Sequence, residues 1–228
     1  MSKNWPPNPF WSGRGAWGSN GLFLDRDELL RRLTSYAEDP RISSAVLFGP
    51  RRMGKTAVLH RLREQWQAAG AGAPAVALLD LENFGSFDRA GLQDPARFWF
   101  AIDDALVALG LLPPANTTVE DPQTLRERWW RRCEKGNVTP VRLLFDEVEL
   151  LYGHKPELLL ELLRCFRVPG DRQPAFVLLS WGRPLGLPQR PEVNAALKDS
   201  PHEHLEPIEE HAFRRDMSRT FEAVGVPL

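Results

Sequence analysis

The sequence "AVLFGPRRMGKTAVLHRL", residues 45–62, joins an apolar run to a helix-like stretch through a loop rich in glycine and arginine. Residues 49–56 fit the pattern G-x-x-x-x-G-K-[ST], in which glycines allow the backbone to approach a phosphate chain closely. Successive backbone N–H groups then converge on the anion, and a helix that begins at Lys55 adds its own unpaired N–H groups. The stretch therefore predicts a buried strand, a loop that grips nucleotide phosphates, and a helix.

The residues of this loop have different predicted roles. Lys55 is expected to contact the β- and γ-phosphates, and the Thr56 hydroxyl is expected to ligate Mg²⁺. The rest of the predicted nucleotide contacts in this stretch are Gly49, Pro50, Arg51, Arg52, Met53, Gly54 and Ala57. For the two arginines, the alternatives are solvent or a neighbouring subunit. For the whole loop, the alternative is an ordinary glycine turn between a strand and a helix.

A second motif is "LLFDEVE", residues 143–149, where an apolar run ends in an acidic pair. This pattern puts carboxylates at the carboxyl end of a buried strand, beside the phosphate loop. Asp146 is expected to hold Mg²⁺, directly or through water, and Glu147 to deprotonate the attacking water as a general base. Glu149 is the next candidate for the base, and helix N-cap acids are the structural alternative for the pair. Together with the loop, the motif predicts ATP binding and hydrolysis.

A third motif is "AFVLLSWGRP", residues 175–184, another apolar run that ends in polar residues. Ser180, at the end of this predicted strand, is expected to sense the γ-phosphate. Arg183 is expected to supply positive charge to the transition state of phosphoryl transfer. The alternative for Arg183 is a turn with an exposed arginine.

Apolar runs alternate with helix-like stretches along the chain. Strands are predicted at 44–48, 75–81, 141–147 and 175–181, with a further short stretch near 203–208. Helices are predicted at 25–38, 55–69, 95–110, 122–136, 156–168 and 209–223. Strands that are apolar throughout and separated by helices indicate a parallel sheet covered on both faces. The predicted fold is an α/β three-layer sandwich with a mostly parallel central sheet.

Composition narrows the class of protein. Of the 228 residues, 43% are apolar, enough for a sizeable core, and the net charge of −1 provides no global field toward nucleic acid or lipid. No signal peptide or membrane span is evident, so a cytoplasmic location without membrane contact is expected. The two cysteines, Cys133 and Cys165, lie in helix-like segments and are expected to be reduced thiols rather than a disulfide or zinc site.

In this order and spacing, the three motifs resemble the ATPase module of the AAA+/STAND group of P-loop proteins, in its archaeal-type ATPase and bacterial novel-STAND branch. "NPFWSGRGAWGSNGLFLDRDELLRRL", residues 8–33, is similar to that branch's opening pattern, which helps house the adenine. Phe23 and Arg26 match the pattern, so the resemblance implies a nucleotide contact for Arg26, whereas Asp25 stands where the family usually has glycine. "HLEPIEEHAFRRDM", residues 204–217, resembles the family's final core strand and following helix.

The resemblance implies an organisation and a function. Residues 1–20 would form an irregular arm, 21–208 the P-loop ATPase core, and 209–228 a helix that starts a lid otherwise absent. The implied function is a Mg-ATP-binding molecular switch with slow hydrolysis, coupling nucleotide state to assembly or signalling with protein partners or further copies, as in bacterial defence. The alternatives are a DNA-acting AAA+ ATPase of the loader or remodeller type, and a non-hydrolysing interaction module stabilised by nucleotide. For the DNA alternative the sequence offers "RERWWRRCEKG", residues 126–136, whose tryptophans more often pack inward.

Overall fold

The computed structural model describes residues 26–50, 53–70, 72–82, 94–114, 119–134, 140–167, 175–182 and 191–207. Within these ranges the chain forms five strands and seven helices. In chain order they are α1 Asp27–Glu38, β1 Ser44–Phe48, α2 Lys55–Gln67, β2 Ala75–Asp80, α3 Pro95–Ala108, α4 Pro122–Glu134, β3 Val141–Asp146, α5 Glu149–His154, α6 Pro156–Phe166, β4 Ala175–Trp181, α7 Pro191–Leu197 and β5 His202–His204.

The predicted strands and helices are confirmed wherever the structure describes them, and β1 and β4 have the predicted bounds. Two short helices, α5 and α7, were not predicted. Each has only six or seven residues, too few for a helical repeat of apolar side chains to stand out. The predicted arm at 1–20 and the predicted helix at 209–223 lie outside the described residues.

The five strands form one sheet in the order β2-β3-β4-β1-β5, and every neighbouring pair is parallel. The carboxyl ends of the strands therefore meet at one edge. β4 lies between β1, which leads into the glycine loop, and β3, which ends at Asp146. The polar end of β4 is thus held between the two motifs that were predicted to share a nucleotide.

Helices cover both faces of the sheet. α1 and α2 pack on one face, where the apolar stripe of α2 is buried, with Leu59 and Leu62 fully enclosed. The other face is covered by residues of α3 to α7, and Trp99 and Trp129 are its largest enclosed side chains. Because side chains of a strand alternate between the two faces, each of the strands β1 to β4 supplies both cores. The predicted three-layer α/β sandwich is confirmed.

Cys133 and Cys165 are thiols rather than the two halves of a disulfide, as predicted. Cys165 is buried in α6, its Sγ donates to the Pro122 carbonyl at 3.3 Å, and burial raises the pKa of its thiol to about 12. No helix within the described ranges is long and apolar enough to cross a membrane.

Candidate functional site

The two glycines that bracket the loop are needed for different reasons. Gly54 has φ 89°, in the left-handed region that favours glycine, and it is the N-cap residue of α2. Gly49 has an ordinary φ, but a Cβ there would lie 2.8 Å from the Leu205 Cβ. Leu205 follows the edge strand β5, so the last strand of the sheet sets the space available to the first residue of the loop.

Lys55 lies folded over the loop at the first turn of α2. Its side chain is buried, and Nζ donates to the Pro50 carbonyl at 3.2 Å. This is the one hydrogen bond of the ammonium within the described part of the chain. An ammonium group has three N–H donors, so the position leaves donor capacity beside the loop and the start of α2.

Asp146 is the centre of a small polar network. Its Oδ2 accepts a hydrogen bond from the Thr56 hydroxyl at 2.5 Å, and its Oδ1 accepts one from the Ser180 hydroxyl at 2.6 Å. The backbone N–H of Glu147 also donates to Oδ1, at 3.0 Å. Both Asp146 and Ser180 are buried. The structure therefore brings the end of β3, the end of β4 and the start of α2 together at one point.

The donor atoms in this network fit Mg²⁺. The Thr56 hydroxyl and the Asp146 carboxylate supply hard oxygen ligands, and their oxygens already converge to 2.5 Å. In the described ranges no group of three or more His, Cys, Asp or Glu residues could hold a metal ion by itself. A two-residue oxygen set of this kind suits a cation that shares its remaining ligands with water and a phosphate chain.

Glu147 has an unusual backbone and an unusual acidity. Its φ is 56°, a left-handed conformation that is uncommon for a residue with a side chain. Burial raises the pKa of its carboxyl to about 7, aided by a hydrogen bond with Glu149 and the charges of Glu149 and Asp146, whereas Lys55 lowers the pKa. A carboxyl with a pKa near neutrality is matched to proton transfer at neutral pH. The helix N-cap alternative for the acidic pair fails, because Val148 occupies the N-cap position of α5.

Glu149 is attached to the end of β4. Its Oε2 accepts a hydrogen bond from the Gly182 N–H at 2.8 Å, and a Cβ at Gly182 would lie only 1.7 Å from Glu149 Oε1. Position 182 therefore requires glycine as long as the Glu149 carboxylate lies against it. Sequence reasoning missed Gly182, although a glycine directly after a buried strand is a recognisable signal of close approach.

His60 is another neighbour that sequence reasoning missed. It follows Thr56 by one helical turn on α2, a spacing that puts both on the same helix face. Burial and the charge of Arg63 lower its pKa, whereas Asp146, Glu64 and Asp80 act in the opposite direction. Asp80 ends β2 and is the register partner of Asp146, so it belongs to the same edge of the sheet.

The remaining predicted contacts lie around the loop or outside the described residues. Met53 packs against the core beneath α1 and α2, and Ala57 is buried in the first turn of α2. Arg26 donates from Nη2 to the Glu206 carbonyl at 2.7 Å, which joins the start of α1 to the segment after β5. Three predicted site residues lie outside the described residues: Arg51, Arg52 and Arg183.

A family model described as an AAA domain matches residues 41–190, which is more than half of the chain. The chain therefore belongs to this family of AAA+ P-loop ATPases. No curated protein matches the chain in sequence.

Among solved structures, the chain is similar to the Walker-type ATPase PABY2304 of Pyrococcus abyssi (TM-score 0.58, 17% identity, 90% of this chain and 60% of that one). It is similar to the Aeropyrum pernix ORC1 protein in complex with DNA (TM-score 0.58, 21% identity, 92% and 52%). It is also similar to domain III of the Thermotoga maritima replication initiation protein DnaA (TM-score 0.53, 17% identity, 92% and 74%). These likenesses show the P-loop fold. The chain spans 60% and 52% of the first two proteins.

Proposed function

We propose that this chain binds ATP with Mg²⁺ and hydrolyses it. The observation that carries the proposal is the direct contact between Thr56 and Asp146, two residues from separate motifs that each predict a ligand of the same metal. The left-handed Gly54 and the buried Lys55 stand beside this contact, at the start of α2. Membership of a family of P-loop ATPases supports the same activity.

In this proposal the backbone N–H groups at the start of α2 and the Lys55 ammonium bind the β- and γ-phosphates. Thr56 and Asp146 hold Mg²⁺, which when bound neutralises charge on the phosphate oxygens. Ser180 keeps the Asp146 carboxylate oriented and is the proposed sensor of the γ-phosphate. Arg26 is proposed to contact the nucleotide near the adenine, and Arg183 to supply charge to the transition state.

Glu147 is the proposed general base. It takes a proton from the attacking water, so it must be ionised when it acts. Because its pKa is raised to about 7, it retains enough basicity to accept that proton at neutral pH. Glu149, anchored on the Gly182 N–H, holds negative charge next to Glu147 and thereby sustains the raised pKa.

We further propose that the chain is a switch of STAND type, in which nucleotide state controls assembly or signalling, as in bacterial defence. Support comes from the resemblance of residues 8–33 and 204–217 to that branch. Solution mass measured with ATP, with ADP and without nucleotide tests this part. A mass that is the same in all three conditions would contradict nucleotide-driven assembly.

The experiment for the ATPase compares Lys55→Ala and Glu147→Gln with the parent chain. Lys55→Ala is expected to lose ATP binding, measured by calorimetry, because the ammonium no longer meets the phosphates. Lys198→Ala, which removes an exposed lysine beyond α7, is the matched control and should bind normally. Glu147→Gln should bind ATP but turn over about 10²–10⁴-fold more slowly. Unchanged ATP affinity in Lys55→Ala would refute the phosphate loop, and no ADP production by the parent would favour the non-hydrolysing module.

A DNA-acting ATPase is the second candidate, since similar solved structures include an ORC1 protein bound to DNA and a replication initiation protein. The arginine- and tryptophan-rich helix α4 gives it little support. Trp129 is enclosed in the core, the Arg126 guanidinium lies 4.3 Å from the Trp130 ring, and Arg128 pairs with Asp103. DNA affinity measured against salt concentration tests this candidate, because phosphate contacts give a steep dependence on salt.

A further inference from the structure

A cavity of about 390 Å³ lies at the edge of the sheet opposite to the phosphate loop. It is bounded by α1, by the carboxyl-terminal part of α2 and by the amino-terminal ends of β2 and β3, and its lining includes Thr34, Glu38, Gln65, Trp66, Pro74 and Arg142. Arg142 precedes Asp146 by four residues on β3, which corresponds to about 13 Å along an extended strand. The cavity is therefore separate from the proposed ATP site.

Arg142 is a buried cation in the wall of this cavity. It is 7% exposed, and its guanidinium carbon lies 4.3 Å from the centre of the Trp66 ring. Within the described part of the chain, the Arg142 Nε is buried and has no hydrogen-bond partner, and none of the ion pairs found there includes Arg142. Burial lowers the Arg142 pKa, and the opposing influence is the charge of Glu38, an exposed residue at the end of α1.

An arrangement of this kind leaves N–H donors of the guanidinium able to bind an anion. The face of an aromatic ring attracts a guanidinium from one side, but it accepts none of the N–H groups that lie in the guanidinium plane. A buried charge without a hydrogen-bonding partner is costly, and the Trp66 indole N–H is already used on the Thr34 hydroxyl at 3.1 Å. The Glu38 carboxylate lines the same cavity, but within the described residues it makes no ion pair with Arg142, and the buried Arg142 Nε keeps its N–H available to a planar acceptor.

We propose that this cavity is a binding site for a small organic carboxylate, held by Arg142. A carboxylate matches the guanidinium fork with two parallel hydrogen bonds. The volume is that of a site for a small molecule, at the lower end of the range for ligand pockets. The adjacent apolar surface of Trp66, Ala69 and Pro74 suits a ligand with an apolar body behind its acid group.

The test uses benzoate as the probe in the full chain carrying Lys55→Ala, so that anions at the phosphate loop do not contribute. Thermal unfolding is followed at constant ionic strength, with benzamide as the neutral control and inorganic phosphate as the control for a non-specific anion. We expect a saturable rise in Tm with benzoate, no rise with benzamide, and loss of the benzoate effect in Arg142→Leu. If Arg142→Leu does not fold, Arg142→Lys keeps the charge without the fork and should weaken the benzoate effect.

The variant Glu38→Gln distinguishes a bound carboxylate from the alternative that Glu38 itself is the partner of Arg142. We expect tighter benzoate binding in that variant, since a negative charge at the mouth of the cavity is removed. A drop in Tm with unchanged benzoate affinity would assign Glu38 as the partner of Arg142 and overturn the proposal. The proposal would also be overturned if the Lys55→Ala chain showed no rise in Tm with benzoate, or a rise with phosphate alone. It would be overturned as well if the benzoate effect survived in Arg142→Leu or stayed undiminished in Arg142→Lys. Because the background lacks Lys55, none of these outcomes depends on ATP binding.

Discussion

The substitution Ser180→Ala should reveal how much the buried hydrogen bonds around Asp146 contribute to stability. The substitution deletes one oxygen that is fully enclosed and that donates to the Asp146 carboxylate at 2.6 Å. A hydrogen bond to a charged group contributes about 1.5–3 kcal/mol, so we expect a loss of about 2 kcal/mol in the free energy of unfolding. In a chain of this size that corresponds to a fall in Tm of about 4–8 °C.

Ser44→Ala is the matched control, because it makes the same chemical change on the neighbouring strand. Ser44 is also buried, but its hydroxyl pairs with the neutral hydroxyl of Ser200 at 2.7 Å. A neutral hydrogen bond contributes about 0.5–1.5 kcal/mol, roughly half of the value for Ser180. Chemical denaturation of both variants without nucleotide measures the difference.

Mg-ATP affinity should distinguish the two serines more sharply. Residues that orient a metal ligand typically change metal affinity by about 10–100-fold when they are removed, so Ser180→Ala should weaken Mg-ATP binding by about tenfold or more. Ser44→Ala should bind as the parent does, since its partner lies away from Asp146. Calorimetric titration of both variants in the presence of Mg²⁺ checks this. Equal destabilisation and equal affinity in the two variants would refute the reasoning.

Two further predictions concern Glu149 and its neighbours. Gly182→Ala should lower the free energy of unfolding by about 2 kcal/mol, because the new Cβ displaces the Glu149 carboxylate and breaks the hydrogen bond that it accepts from the backbone N–H of residue 182. In a Glu149→Ala background the same change should cost little, and a double-mutant cycle of unfolding free energies measures the difference. Equal costs in the two backgrounds would contradict the contact. The folded-state pKa of Glu147 is about 7, above the unfolded value of 4.5, so the unfolded state ionises first and stability in EDTA should fall as pH rises from about 4.5 to about 7. Glu147→Gln should flatten this part of the Tm–pH profile, and a profile identical to the parent's would show that the carboxyl has an ordinary pKa.

Much of the fold was predictable because the sequence patterns that indicate its strands and helices each span only a few residues. β1, β3 and β4 are buried along their whole length, so each is a mostly apolar run that stands out in the sequence. α2 begins where Gly54 must adopt a left-handed conformation, and that requirement is visible as a glycine before Lys55. α5 and α7 escaped prediction because short helices depend on contacts made after folding more than on their own periodicity.

For the candidate site, the sequence predicted the residues of the motifs but not the contacts that join them. Lys55, Thr56, Asp146 and Glu147 each stand at a strand end or helix start, and motif spacing marks such positions. The contact between Glu149 and Gly182 joins residues that are 33 positions apart, and no local pattern records it.

The sequence by itself determined which segments are buried strands, where the chain must turn tightly on glycine, and which residues are proposed to bind phosphate and metal. Only the tertiary structure decided that β4 lies between β1 and β3, and so delivers Ser180 to Asp146. It also decided that Glu147 has a raised pKa and that Arg142 lines a cavity with its Nε buried and, within the described residues, not hydrogen-bonded. The physical reason is that burial, charge proximity and register arise from segments far apart in the chain, whereas periodicity and turn chemistry act within a few residues.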